Sequence, residues 1–301
     1  MTASVSALQP SAGHRRRATL IGGVAVLLWA TLALLTTLAG DVPPFQLVAL
    51  TFGIAFAVAV AKWCVEGRAA FARLRQPWPV WLLGIGGLFG YHVLYFTALG
   101  NAPAVEASLI AYLWPLLLVL FSALLPGETL RWWHLAGAAA GLCGAALLVT
   151  RGGAMSFRAE YAIGYGAAFA CAVTWSGYSV LSRRFGTVPT DVVGGFCGAT
   201  ALLGLFFHLL LEDTFWPSDP LGWAAIAALG LGPVGAAFFV WDYGVKRGEI
   251  GALGALSYVS PLLSTLLLIL AGRAEASWVV AAACALIAGG AAVASRDLLR
   301  G

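Results

Sequence analysis

The sequence predicts an all-α membrane protein with ten transmembrane helices, built as two five-helix repeats that are inverted relative to each other. Three observations predict it. Of the 301 residues, 61% are hydrophobic and 10% carry a charge, against roughly 45–50% and about 25% in a soluble domain. A water-soluble globule could not cover that much apolar surface with so few charges. Apolar runs of about 20 residues, the length that crosses a hydrocarbon core of ~30 Å, follow one another between short polar or Gly/Pro breaks. Finally, a shift of 146 residues lays the second half of the chain on the first. The composition excludes a soluble enzyme, a disordered chain and a nucleic-acid-binding domain. The 37 glycines suit helices that approach closely in lipid.

The spans are expected at 20–39, 45–64, 80–99, 104–125, 132–150, 161–182, 191–211, 221–245, 252–271 and 277–295. Arg15, Arg16 and Arg17 precede the first span as in a secretory signal. Its apolar length of ~20 residues exceeds the ~7–15 of a signal peptide, so it is read as a retained helix behind a tail over 1–17. The connection after the second span carries Arg68, Arg73 and Arg75. The third span holds Tyr91, His92 and Tyr95, and the fourth holds Tyr112, Trp114 and Pro115. Gly137 and Gly141 in the fifth form a small-residue packing stripe. A linker over 151–160 then separates the first repeat, 18–150, from the second, 161–295. The sixth span carries Trp175 and Tyr178, the seventh His208, the eighth Asp242 and Lys246, and the ninth Ser257, Tyr258 and Pro261. The tenth closes the repeat before a tail over 296–301.

Short connections should obey the positive-inside rule. With the N-terminus in the cytoplasm, Arg15, Arg16, Arg17, Lys62, Arg68, Arg73, Arg75, Arg131, Arg183, Arg184, Lys246, Arg247, Arg296 and Arg300 fall inside. Only Arg151, Arg158 and Arg273 fall outside. Both termini are therefore expected in the cytoplasm, with the chain in the inner membrane. Cys64, Cys143, Cys171, Cys197 and Cys284 lie inside apolar runs and are odd in number, which gives no disulfide framework. His14, His92, His134 and His208 form no metal motif. No cofactor and no metal is expected.

The repeat is carried by rare residues. The shift of 146 brings Trp29 onto Trp175, and Gly40, Val42 and Pro43 onto Gly186, Val188 and Pro189. It also brings Gly84 and Gly86 onto Gly230 and Gly232, Tyr112 onto Tyr258, and Pro115, Leu116 and Leu117 onto Pro261, Leu262 and Leu263. Leu and Ala would match by chance in this composition; Trp, Tyr and Pro in one register would not. Five helices is an odd number, so the second repeat must cross the membrane upside down. Transporters of that architecture bind substrate near the midplane where the halves meet.

Two halves, each with a mid-helix proline preceded by a small or aromatic stretch, resemble the drug/metabolite transporter superfamily, EamA type. The segments that carry the resemblance are Tyr95 to Gly100 through Pro115, Gly127 with Glu128, and Tyr258 through Pro261 with Glu275. It covers residues 18–295. Within that family, the aromatic enrichment and the stretch Gly90 to Tyr95 resemble exporters of aromatic amino acids. The resemblance implies a carrier that exports small amphipathic metabolites, aromatic amino acids first, by alternating access. Other amino acids or cationic drugs are the alternative substrates. An intramembrane enzyme is the more distant alternative, and no Gly-x-Ser-Gly, Gly-x-Gly-Asp or His-Glu-x-x-His pattern supports it. A passive channel would favour polar rings over aromatic stripes. The expected partners are a small-molecule substrate and the lipid bilayer, with no nucleic acid, and the expected state is a monomer or weak dimer.

Tryptophans sort the candidate site. Trp63, Trp78, Trp81, Trp132, Trp133, Trp216, Trp223 and Trp278 lie at span ends, where the ring sits at headgroup depth. Trp29, Trp114 and Trp175 lie near mid-span, where lipid offers the indole N–H no partner, so they should face the bundle interior. Trp241 sits closer to a cytoplasmic end. Helical spacing then groups Tyr91, His92 and Tyr95; Ser108, Tyr112 and Pro115 with Trp114 adjacent; Trp175, Tyr178 and Ser182; and Gly254, Ser257, Tyr258, Pro261 and Ser264. The expected substrate-binding set is Tyr91, His92, Tyr95, Tyr112, Trp114, Trp175, Tyr178, Ser257 and Tyr258. The competing reading is that these polar groups bond one another as packing glue. Pro115 and Pro261 are expected hinges. Each removes an N–H and leaves the carbonyl of Ala111 or Ser257 without its usual partner, and such a carbonyl must face protein, water or substrate. Asp242 with Lys246, and Glu106 in a first helical turn, are expected to be structural.

Overall fold

The computed structural model describes residues 12–126, 130–153, 158–272 and 275–294, and among them there is helix and turn but no strand. Gly127, Glu128, Arg273, Arg296 and Arg300, the tail over 296–301 and all but the end of the N-terminal tail lie outside the described residues.

The first rod is α1 (Ala12–Trp29) followed by α2 (Leu32–Ala39), so the helix begins eight residues before the expected span. It breaks at Ala30 and Thr31, where the Thr31 hydroxyl donates to the Leu28 carbonyl at 2.7 Å and competes with the backbone ladder. Gly40, at φ 77°, ends the rod in a conformation that costs glycine no Cβ clash. Next comes α3 (Pro44–Glu66), which opens on a proline whose missing N–H is not needed there. The stub α4 (Arg68–Ala72) follows. A third rod joins α5 (Trp78–Ile85) to α6 (Tyr91–Asn101) through a π turn at Gly86–Gly90. A fourth joins α7 (Ala104–Ala111) to α8 (Trp114–Ser122) across a break at Tyr112 and Leu113. Then follow α9 (Trp132–Thr150), α10 (Ala162–Arg184) and α11 (Val192–Leu211). The chain then repeats its irregularities: α12 (Pro220–Leu231) meets α13 (Ala237–Arg247) through a π turn at Gly232–Ala236. Likewise α14 (Ile250–Leu256) meets α15 (Val259–Leu270) across a break at Ser257 and Tyr258. The last helix is α16 (Trp278–Ala294).

Eight of these rods are long and apolar enough to cross a membrane, and α16 is a shorter apolar helix. The 23 residues of α10 stand outside the eight. Its Ser176, Tyr178, Ser179 and Ser182 are buried, so these four polar groups face protein.

Equivalent helices of the two halves pack against each other in opposite directions. Along α3 and α11, Gly204 meets Val48, Gly198 meets Phe56, and Gly194 meets Ala59 and Trp63. Between α9 and α16, Gly137 meets Gly290, while Gly144 meets Ala283 and Ile287. Glycine at these points lets the backbones approach as lipid-embedded helices require. A Cβ on Gly204 would lie 2.8 Å from the Val48 side chain. The cross-half contacts α1 with α13 and α6 with α10 complete the bundle.

Trp63 departs from its expected place in the interfacial belt. It is 1% exposed, because α4 folds Phe71 over it at 5.9 Å and Gly194 leaves room beneath it. Trp78, Trp132, Trp223 and Trp278 do lie exposed at rod ends and Trp216 in the connection before α12, whereas Trp81 packs edge-on against Phe196.

Candidate functional site

Four tryptophans from four rods meet in the bundle interior. Trp29 ends α1, Trp114 opens α8, Trp175 lies within α10 and Trp241 within α13. Trp29 lies 5.7 Å from Trp175, 6.2 Å from Trp114 and 5.0 Å from Trp241 between ring centroids. Trp114 stands edge-on to Trp175 and Trp241, and those two stack at 6.2 Å. A buried indole N–H needs an acceptor. Trp29 donates to the carbonyl of Pro233 at 3.0 Å, inside the second π turn, and Trp241 donates to the Ser179 hydroxyl at 3.0 Å. The hydroxyl of Ser176 donates to the Trp114 carbonyl at 2.7 Å, which ties α10 to the break in the fourth rod.

Six of the nine expected binding residues join this network. Tyr91 stacks on Tyr95 at 6.0 Å and meets Trp175 edge-on at 5.7 Å. Tyr178 leans on Trp175 at 5.3 Å. His92 meets Phe52 edge-on, and Phe52 stacks on Phe238, which touches both Trp29 and Trp175. The Nδ1 of His92 lies 2.7 Å from the carbonyl of Leu88 in the first π turn. A carbonyl only accepts, so Nδ1 donates and a neutral ring keeps Nε2 as a free acceptor. The Tyr95 hydroxyl lies 3.4 Å from that of Ser108.

Tyr112, Ser257 and Tyr258 sit differently. Tyr258 is fully buried in a separate cluster with Val119, Ala138, Ala145 and Ile287, and its hydroxyl donates to the Tyr112 carbonyl at 3.1 Å. Ser257 donates to the Leu253 carbonyl of its own helix at 2.7 Å. Pro115 and Pro261 lie just after the two breaks, in the first turns of α8 and α15. The Ser257 carbonyl, expected to lose its partner to Pro261, accepts instead from the Ser260 N–H at 3.1 Å, because the break tightens into a turn. Glu106 lies in the first turn of α7, with Oε2 buried and without a hydrogen-bond partner among the described residues.

Trp29, Phe238 and Trp241 complete the network and are absent from the expected binding set. The signal was available: the same shift of 146 that defines the repeat lays His92 and Tyr95 on Phe238 and Trp241.

Below Tyr178, at the end of the bundle that carries Arg73 and Lys246, the α10–α11 connection is stitched shut. Lys246 pairs with Asp242 at 2.8 Å, their side chains 4% and 2% exposed. Lys246 also donates to the Val188 carbonyl at 3.1 Å, and Thr190 donates to Asp242 at 2.7 Å. Asp191 pairs with both Lys62 and Arg73, and Arg73 also reaches Glu66 at 2.7 Å. Burial pushes the Asp191 carboxyl up, but the two cations outweigh it and hold the group below the usual carboxylate range. A cavity of about 10 Å³ lies here, lined by Tyr178, Ser182, Phe185, Phe196, Asp242 and Lys246 among others. A larger one of about 300 Å³ lies to the side between α3 and the α12–α13 rod, and none of the four clustered tryptophans lines it.

At the opposite end, Glu212 accepts from the N–H groups of Phe45 at 2.8 Å and Gln46 at 3.0 Å. A carboxylate at a helix N-terminus is electrostatically favoured. His208 holds the same carboxylate at 3.0 Å. No group of three or more metal-ligating side chains occurs among the described residues.

The sequence profile of the EamA-like transporter family matches twice, over residues 17–150 and 162–296. The chain is 59% identical over 282 residues to the aromatic amino acid exporter YddG of Ancylobacter novellus, covering 93% of this chain and 98% of that one. It is 25% identical to the Escherichia coli protein of the same name, over 84% and 88%. A probable terminal-alkyne amino-acid exporter of Streptantibioticus cattleyicolor is 28% identical over 60% of each chain. A solved crystal structure of a protein 58% identical superposes with a TM-score of 0.90 over 95% of this chain and 99% of its own.

Proposed function

Because this chain belongs to the EamA-like transporter family, we propose that it exports aromatic amino acids across the inner membrane by alternating access. The observation that carries the proposal is the cluster of half-buried Trp29 with buried Trp114, Trp175 and Trp241, where rods of both halves meet. Aromatic faces and edges there match a substrate ring in offset or edge-on contact. Tyr91, Tyr95 and Tyr178 extend that surface. The Nε2 of His92, the Tyr95 and Ser108 hydroxyls and the π-turn carbonyls offer polar contacts to the charged end of an amino acid. Tyr112, Ser257 and Tyr258 flank this surface at the breaks, which act as hinges beside Pro115 and Pro261.

The ten rods are read as ten spans in two inverted repeats. Antiparallel packing of α3 with α11 and of α9 with α16 supports the inversion, as does the return of the π turns and breaks in the second half. The basic end is assigned to the cytoplasm by the excess of Lys and Arg, with both termini there. The rings of the cluster are in mutual contact, so a substrate must part them. That need fits a carrier that passes through several conformations better than a fixed pore.

The test is counterflow in liposomes with the purified chain. Preloaded unlabelled phenylalanine or tryptophan should accelerate uptake of the labelled amino acid, with leucine and a cationic drug clearly weaker. Preference for the cation, or equal use of all substrates, would overturn the aromatic assignment. Flux without acceleration by preloading would overturn the carrier.

A further inference from the structure

We infer that Asp242 and Lys246 form the loading site for the zwitterionic head of the amino acid, Asp242 taking the ammonium and Lys246 the carboxylate. The inference rests on the exporter reading above and adds a site to it.

The pair is almost fully withdrawn from solvent, and a buried ion pair is a weak source of stability because both charges lose their hydration. Its position suggests another use. Asp242 and Lys246 line the same cavity as Tyr178 and Ser182, and the Tyr178 ring touches Trp175. The pair therefore stands at the entrance to the aromatic network from the basic end. Phe185, Phe196, Val80 and Leu83 form the apolar part of the wall, which suits a ring attached to a charged head.

The chemistry selects by charge arrangement. Parting Asp242 from Lys246 leaves two buried charges, each in need of an opposite one. A zwitterionic amino acid supplies both at once, with its ammonium and carboxylate borne by the same α-carbon. An amine satisfies Asp242 and leaves Lys246 unpaired, a carboxylic acid does the reverse, and a neutral ring satisfies neither. Loading also reaches the closure. Thr190 and the Val188 carbonyl are held by these same two side chains, so a head that occupies Asp242 and Lys246 releases the α10–α11 connection at the moment the site fills.

The experiment is competition counterflow with labelled phenylalanine against phenethylamine, which lacks the carboxylate, and 3-phenylpropionate, which lacks the ammonium. For the unaltered protein, both analogues should compete at least about tenfold more weakly than phenylalanine, as expected when a buried charge loses its partner. Lys246→Met should close the gap to phenethylamine, and Asp242→Asn the gap to 3-phenylpropionate. The double variant, which leaves no buried charge alone, should lose both gaps. Slower transport with unchanged ratios would overturn the inference and make the pair a clasp only. No phenylalanine counterflow by the unaltered protein would overturn the exporter reading itself, and this inference with it. Should the charge variants fail to fold, Thr190→Val decides. It removes a donor that competes with the ammonium for Asp242, so the half-saturating phenylalanine concentration should fall several-fold, and an unchanged or higher value overturns the inference.

Discussion

Trp175 touches Trp29, Tyr91, Trp114, Tyr178, Phe238 and Trp241, and no other ring among the described residues joins so much of the network. Ring contacts contribute roughly 0.5–1.5 kcal/mol beyond area burial, and 1.4 kcal/mol is about tenfold in affinity. Trp175→Ala and Trp241→Ala should therefore weaken aromatic substrate several-fold or more at matched protein levels. Trp78→Ala and Trp278→Ala, whose rings lie exposed, should leave affinity unchanged. A second residue prediction concerns Asp191. Its carboxyl is held below its unfolded value by Lys62 and Arg73, so the contribution to stability is complete above the ordinary carboxylate pKa of ~3.9. It fades as pH falls through the lower folded value. Thermal unfolding of Asp191→Asn in detergent should begin below that of the parent at pH 7, and the gap should shrink in strong acid. Sequence reading reached Trp114 and Trp175 through the needs of a mid-depth indole. It passed over Trp241 because that residue lies toward the cytoplasmic end of the expected eighth span, 221–245, where depth alone gives the indole no reason to turn inward.

Helix ends and breaks account for the rest of what was legible. Proline, glycine and charge mark where rods start and stop, and the expected fifth span, 132–150, coincides with α9. The first π turn carried no such mark, since Gly86, Gly87 and Gly90 serve equally well as close-packing glycines in an ordinary helix, whereas Pro233 stood inside the second without being read as a break. Neither was the fate of the Ser257 carbonyl legible, because a local turn satisfied it at no cost to neighbouring helices. The break at Thr31 has no counterpart in α10, which runs unbroken past Gly177. Packing at the α9–α16 crossing yields a prediction at this scale. Gly137 lies against the Gly290 backbone and Ala294, and overpacking a close contact costs roughly 1–3 kcal/mol. Gly137→Leu should lower thermal stability markedly, whereas Gly13→Leu, with nothing near its Cβ position, should not.

For the whole molecule, composition and the register of rare residues were enough to expect a helical membrane bundle of duplicated design, since both follow from the bilayer rather than from particular contacts. Membrane orientation makes the corresponding prediction. A single cysteine placed at Arg73 in a cysteine-free background should be labelled only from the cytoplasm, and one at Asp219 only from the other side. The reverse pattern would invert the direction of transport. The ties at the two ends of α3 and α11 carry a further consequence. Lys62 with Glu66 and His208 with Glu212 are the same two positions 146 residues apart, and so are Asp191 and Phe45, which they hold. Gly137 meets the counterpart of Gly144, and Gly144 the counterpart of Gly137. That reciprocity is the signature of an isologous dimer, written here within a single gene. Each half thus presents to the other the face that an unduplicated ancestor would have presented to its twin. Cut between Gly153 and Arg158 and expressed as two separate polypeptides, the halves should find each other in the membrane and restore counterflow, while either half alone should not.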